Sequence, residues 1–170
     1  MTTAGFAALR YSGGRLRWPG GSARAACGRN GVRDDKREGD GATPAGTFPL
    51  LAGYYRADRR DAPTTSLPMT PLRPTDCWVD DPADPNYNRL ASLPYRGHYE
   101  EMWRADRLYD LVIPIGCNTA PPVPGRGSAI FLHVATPDFS PTAGCIALDS
   151  DVLAELLGLL GPGSIITIRP

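Results

Sequence analysis

The chain has 170 residues, and its 18 Lys+Arg balance 18 Asp+Glu, so no net charge draws it to nucleic acid or to an anionic membrane surface. Apolar content of 42% and charged content of 21% describe an ordinary globular protein, long enough for one domain with a proper core across residues 1–170. Counts of 18 Pro and 19 Gly exclude a helical bundle and favour short strands joined by many turns.

The opening stretch, MTTAGFAALRYSGGRLRWPGG, has no basic region followed by an apolar core of the kind that directs secretion. No window is long and apolar enough for a membrane span. The expectation is a cytoplasmic protein, or one that reaches the periplasm or cell envelope by a route other than general secretion. Residues 4–32 read as two or three strands: Phe6 to Tyr11, Arg15 to Trp18 after a Ser-Gly-Gly turn, and Ala23 to Cys27. Arg29-Asn30-Gly31 is a turn signal. Residues 33–41 read as a solvated mixed-charge loop, unless Asp40 and Gly41 help to shape a site. Thr43-Pro44-Ala45-Gly46-Thr47-Phe48 predicts a tight turn feeding a strand at Phe48–Leu51.

Residues 56–98 are proline-rich and without periodicity, which predicts an irregular insertion lying over the sheet, with Trp78, Tyr87 and Tyr95 supplying aromatic area to pack. Asp80, Asp81 and Asp84 lack the spacing and closing Glu of a calcium loop, and local turn chemistry is the better reading. Tyr99 to Arg107 predicts a short helix and Leu108–Ile115 a buried strand. Asp149 or Ser150 can cap a final helix whose Val152, Leu153, Leu156, Leu157 and Leu160 share one face; a last strand follows at Ser164–Ile168. The four cysteines are scattered without a Cys-x-x-Cys pair, so free thiols are expected rather than a zinc ribbon or a disulfide scaffold. The fold class is mainly β with one or two short helices.

The chemistry concentrates between Gly116 and Leu148. Period-2 alternation puts Phe131 and His133 on one face of an apolar run, with Ile130, Leu132 and Val134 on the other. Cys145 follows Gly144 at the head of a second run and shares a face with Ala147. Paired as antiparallel neighbours across Ala135–Gly144, the runs would bring imidazole and thiol together at the loop mouth, as a nucleophile needs from its base. Each residue alone reads as core material; together, with Gly144 freeing backbone N–H groups for an oxyanion hole, they read as a catalytic pair. A catalytic Cys145 should have a depressed pKa and alkylate fastest of the four, whereas equal sluggishness across all four would favour a non-catalytic module.

The ordered set Thr43-Pro44-Ala45-Gly46-Thr47-Phe48, Gly125-Arg126-Gly127-Ser128-Ala129-Ile130-Phe131-Leu132-His133 and Pro141-Thr142-Ala143-Gly144-Cys145 resembles the YkuD-type L,D-transpeptidase catalytic domain. It is closest to a short bacterial branch in which Ser-His-Gly-Cys becomes Thr-x-Gly-Cys. Asp-Asp-Pro-x-Asp-Pro-x-Tyr-Asn-Arg and Glu-x-x-Trp-Arg-x-Asp-x-x-Tyr-Asp look like the same branch. The resemblance implies a YkuD-like β-sandwich and acyl transfer on a peptidoglycan stem peptide or muropeptide without a cofactor. It also implies that the Val134 carbonyl orients His133 and that Gly144 and Cys145 supply the oxyanion amides. The chain departs from the family at Ala143, where His is usual, at Ala147, where Arg is common, and in a shorter His-to-Cys loop. Thr142 and Ala143 then remain as residues of the substrate-binding turn, with Arg126 or Arg104 as replacement charge for a stem carboxylate. Three alternatives stay open: an L,D-carboxypeptidase or other cysteine amidase with the same dyad, a non-catalytic binding module, and a zinc site of His98, Cys117, His133 and Cys145.

Overall fold

The computed structural model describes residues 5–170; residues 1–4, which begin the stretch read for a leader, lie outside them. The strands, in chain order, are β1 (Ala8–Ser12), β2 (Arg15–Trp18), β3 (Gly21–Ala26), β4 (Val32–Arg33), β5 (Thr43–Pro44), β6 (Gly46–Pro49), β7 (Gly53–Tyr55) and β8 (Met69–Pro71). They continue with β9 (Asp76–Val79), β10 (Leu90–Ser92), β11 (Tyr99–Glu101), β12 (Leu111–Pro114), β13 (Phe131–Val134) and β14 (Ile146–Leu148), then helix α1 (Ser150–Leu157) and β15 (Ile165–Ile168).

Ten strands form one sheet in the order β6-β15-β1-β2-β3-β14-β13-β12-β7-β8. The hinge of this sheet is β3, which pairs with β2 through Gly21–Arg24 and with β14 through Ala25 and Ala26. Leu9, Leu16 and Ile166 from one half share a buried cluster with Ile113, Leu132 and Ile146 from the other. The sheet therefore curls over its own core, which Leu153, Leu156 and Leu157 of α1 complete. Both edge strands carry a proline, Pro49 in β6 and Pro71 in β8; a residue without an N–H is tolerated there and blunts the open edge. The central strands β12, β13 and β14 are buried along their full length, because both faces are covered. This explains their continuous apolar sequence.

The covering of the second face comes from residues 56–98, and here the sequence reading needs correction. The insertion is more regular than its prolines suggest. It carries β8, β9 and β10, and β9 and β10 join β11 in a separate three-stranded sheet. Trp78 of β9 meets the Phe131 ring edge-on at 5.0 Å, so this small sheet packs on β13. Trp78 and Tyr87 are buried. The helix expected over Tyr99–Arg107 does not form: Tyr99–Glu101 is strand β11, paired with β9, and the rest is turns. Cross-strand pairing with Cys77, Trp78 and Val79 overrides a weak local helical preference. At the other end of the chain, Asp149 caps α1 by accepting from Asp151 N at 2.9 Å and Val152 N at 3.3 Å. Such a cap contributes about 1 kcal/mol.

Candidate active site

β13 and β14 run parallel, not antiparallel as expected. Ten residues are more than a hairpin needs, and they carry the chain back to the end where β13 began. The register pairs His133 with Ala147, so Cys145 lies beside the start of β13 and His133 two residues further along the neighbouring strand. Period-2 alternation still places both side chains on one face. They line one cavity of about 440 Å³.

The sulfur is seated on backbone. Cys145 Sγ donates to Ala129 O at 3.2 Å and accepts from Phe131 N at 3.3 Å. The residue is only 8% exposed. Burial pushes the thiol up to about 12; the Glu100 carboxylate pushes the same way, against the Phe131 N–H, Lys36 and Arg104. The depressed thiol expected from the sequence is thus corrected: low-dielectric surroundings penalise the thiolate more than nearby cations favour it.

The imidazole is fixed by its own strand. His133 Nδ1 lies 2.8 Å from Val134 O. A carbonyl can only accept, so Nδ1 carries the hydrogen and Nε2 keeps its lone pair. Tyr109 stacks edge-on at 5.3 Å. Burial lowers the imidazole to about 4, with the Val134 carbonyl opposing and Arg104 adding to the shift. At neutral pH the site therefore holds an uncharged thiol and an uncharged imidazole.

The turn before Cys145 is shaped by two residues. Gly144 sits at φ +148°, and a Cβ there would lie 2.8 Å from Ala42 O. Its N–H is already donated to Thr142 Oγ1 at 3.1 Å, while the Thr142 hydroxyl donates to Cys145 O at 2.7 Å. Among the described residues the Cys145 N–H has no hydrogen-bond partner. Gly144→Ala is expected to cost about 1–3 kcal/mol through backbone strain and to lower turnover with it, as read by thermal melting beside steady-state rates.

Thr142, Ala143 and Arg104 line the same cavity as Cys145; Arg126 does not. It lines a second cavity of about 650 Å³ with Cys117 and Asn118, because Gly125 and Gly127 turn its loop outward. Arg104 is bound to Asp106 at 2.7 Å, stands 3.9 Å from Glu100 and lies over the Tyr109 ring at 5.1 Å. Lys36, a cation the sequence reading passed over, lines the cavity through its ion pair with Asp40. Asp40 also accepts from Arg37 N and Ala42 N, and although burial opposes it, these bonds hold its carboxyl below the usual range. Glu100 and Tyr109 were also missed. The Tyr109 hydroxyl donates to Glu100, whose carboxyl is raised by burial. Their signal stood in the Glu-x-x-Trp-Arg-x-Asp-x-x-Tyr-Asp segment, where the sequence reading puts Glu100 in a helix and Tyr109 in a buried strand. The zinc arrangement does not form: His98 pairs with Asp80 at 2.5 Å and Cys117 lines the other cavity. Among the described residues no three His, Cys, Asp or Glu side chains are grouped to hold a metal. All four cysteines are free thiols.

Among the described residues no helix is long and apolar enough to cross a membrane. Comparison with curated proteins and with solved structures gives no significant match. The family model described as YkuD, the L,D-transpeptidase catalytic domain, matches residues 4–168, nearly the whole chain. With a mainly β fold and that coverage, the chain belongs to the YkuD family of L,D-transpeptidase catalytic domains.

Proposed function

We propose that the whole chain acts as one catalytic domain performing cysteine acyl transfer on peptidoglycan stem peptides. The observation that carries this is the placement of His133 and Cys145 on adjacent strands, facing one cavity, with the imidazole held by Val134 O in the tautomer that can accept a proton. The thiol leaves Ala129 O for His133 Nε2, which takes its proton as sulfur attacks the carbonyl of an L,D-peptide bond. Negative charge on the carbonyl oxygen is met by the Cys145 N–H. The imidazolium then protonates the departing D-amino acid, and a thioester remains. An amine resolves it by transpeptidation, or water by carboxypeptidation, with His133 again the base. Thr142 and Ala143 form the wall beside the nucleophile. Arg104 offers positive charge to a stem carboxylate, a role that Arg126 is not placed to share.

Purified protein incubated with tetrapeptide muropeptides, with and without an acceptor amine, tests the reading by product analysis. Cross-linked products are expected with the amine, and trimmed tripeptides without it. Trimming alone in both arms would assign a carboxypeptidase. Untouched substrate with no acyl adduct on Cys145 would overturn catalysis and leave a binding module.

A further inference from the structure

We propose that Asn88 is a positioning residue for the nucleophile: it holds Ala129 in the left-handed conformation that turns the Ala129 carbonyl onto the Cys145 thiol. The proposal rests on reading Cys145 as the nucleophile and assigns a task to the Asp-Pro-x-Tyr-Asn segment, which the dyad leaves unexplained.

Asn88 comes from the connection between β9 and β10 and is only 5% exposed. Its side-chain amide is fully used. Oδ1 accepts from Trp78 Nε1 at 2.9 Å and from Ala129 N at 3.0 Å. Nδ2 donates to Cys117 O at 3.2 Å and Asn118 O at 2.7 Å. An Asn offers two acceptor sites and two donors, so this arrangement fixes the side chain in every direction. Its partners come from three separate stretches: the small covering sheet, the loop after β12 and the residues entering β13. Tyr87 adds to the clamp by accepting from Gly127 N at 3.1 Å.

Ala129 sits at φ +52°, a region that costs a residue with a Cβ about 1–2 kcal/mol. Something must hold it there. Its N–H is bound by Asn88 and its C=O by the Cys145 thiol, so one residue links the clamp to the sulfur. Returned to ordinary β or α backbone, residue 129 would swing its carbonyl away. The sulfur would then be left with Phe131 N as its one backbone partner. A thiol donating to a carbonyl is favoured in its protonated form; an N–H donating to sulfur favours the thiolate. The clamp thus keeps the nucleophile protonated and aimed until substrate draws it to His133. The charged and titratable groups lining the cavity with Cys145 are Glu100 from β11, Arg104 and Tyr109 from the following connection, His133 on β13, Asp80 just after β9, and Lys36 and Glu38 from the loop before β5. None of them is a hydrogen-bond partner of the Asn88 side chain, so changing Asn88 tests the carbonyl contact.

The experiment is site-resolved alkylation of the full-length protein by iodoacetamide across pH, read by peptide mass spectrometry with Cys27 as internal reference. In Asn88→Ala the Cys145 profile is expected to move down by about one pH unit, making alkylation at fixed pH about 10-fold faster. Muropeptide turnover falls with KM unchanged. Adding Ala129→Gly, which occupies the left-handed region without strain, restores part of the profile. An unchanged Cys145 profile in folded Asn88→Ala would reduce Asn88 to a structural residue. Should that variant not fold, Asn88→Asp keeps the acceptor for Ala129 N, and its Cys145 profile must not move downward; a downward shift overturns the proposal. Alkylation needs no substrate, so a wild-type protein inactive on muropeptides would sink the functional reading while leaving this test intact.

Discussion

Cys145→Ala is expected to abolish acyl transfer, lowering turnover by on the order of 10³-fold or more, while the fold survives. Incubated with a tetrapeptide substrate and examined by intact mass, the native protein should carry the acyl group on Cys145 and the variant none. The reason is that none of the other three cysteines lines the cavity that holds Cys145, the half-buried Cys27 included. Cys117 is buried, is pushed up to about 11 by that burial, and faces the second cavity. Cys77 is fully buried in the covering sheet. The change removes two weak sulfur hydrogen bonds, to Ala129 O and from Phe131 N, and creates little void, so melting should shift by only a few degrees. Cys117→Ala is the matched control and should retain turnover. Full activity in Cys145→Ala would remove the nucleophile assignment.

His133→Gln is expected to lower kcat by about 10²- to 10⁴-fold, the range for losing a positioned general base. The pH dependence makes the test specific. The proposed reaction needs Nε2 unprotonated, and burial lowers the imidazole to about 4, so the native acid limb of kcat/KM should fall near pH 4 rather than near the ordinary histidine value of 6.5. The same shift enters stability. In the unfolded chain the histidine takes its proton as pH drops through 6.5, whereas the folded chain takes it only near 4. Lowering the pH across that window therefore favours unfolding, and above it the group contributes no slope. His133→Gln should remove that share of the acid sensitivity in melts recorded against pH. The thiol side gives a matching expectation: with Cys145 pushed up to about 12, its alkylation should keep rising through alkaline pH. A plateau near pH 7 would instead report a thiolate–imidazolium pair and contradict the neutral resting dyad.

The raised thiol does not count against catalysis. A neutral pair in a buried cavity avoids the cost of two separated charges at rest, and in the proposed reaction His133 accepts the proton only as sulfur bonds to carbon. The resting contact of the thiol with Ala129 O gives the proton a defined place until then.

What was legible in the sequence is what depends on local geometry. Alternation along Ile130–Val134 sorted Phe131 and His133 from Ile130, Leu132 and Val134, because successive strand residues must face opposite ways whatever the strand pairs with. The leucine stripe and the Asp149 cap specified α1 for the same kind of reason: helical period and orphan N–H groups are properties of the segment itself. Gly144 marked a tight approach to Cys145. Tertiary structure alone decided which way β14 runs against β13, since a ten-residue connection allows either direction and the choice falls to β3 as the strand on its far side. It also turned Tyr99–Glu101 into strand by offering β9 as a partner, bringing Glu100 and Tyr109 to the cavity, and it sent Arg126 to a different one. The acidity of the pair belongs to this second kind. Cys145 and His133 are closed over by the small sheet of residues 76–101 and by Tyr109, all far away in sequence, and desolvation depends on everything that closes over a group rather than on its neighbours along the chain.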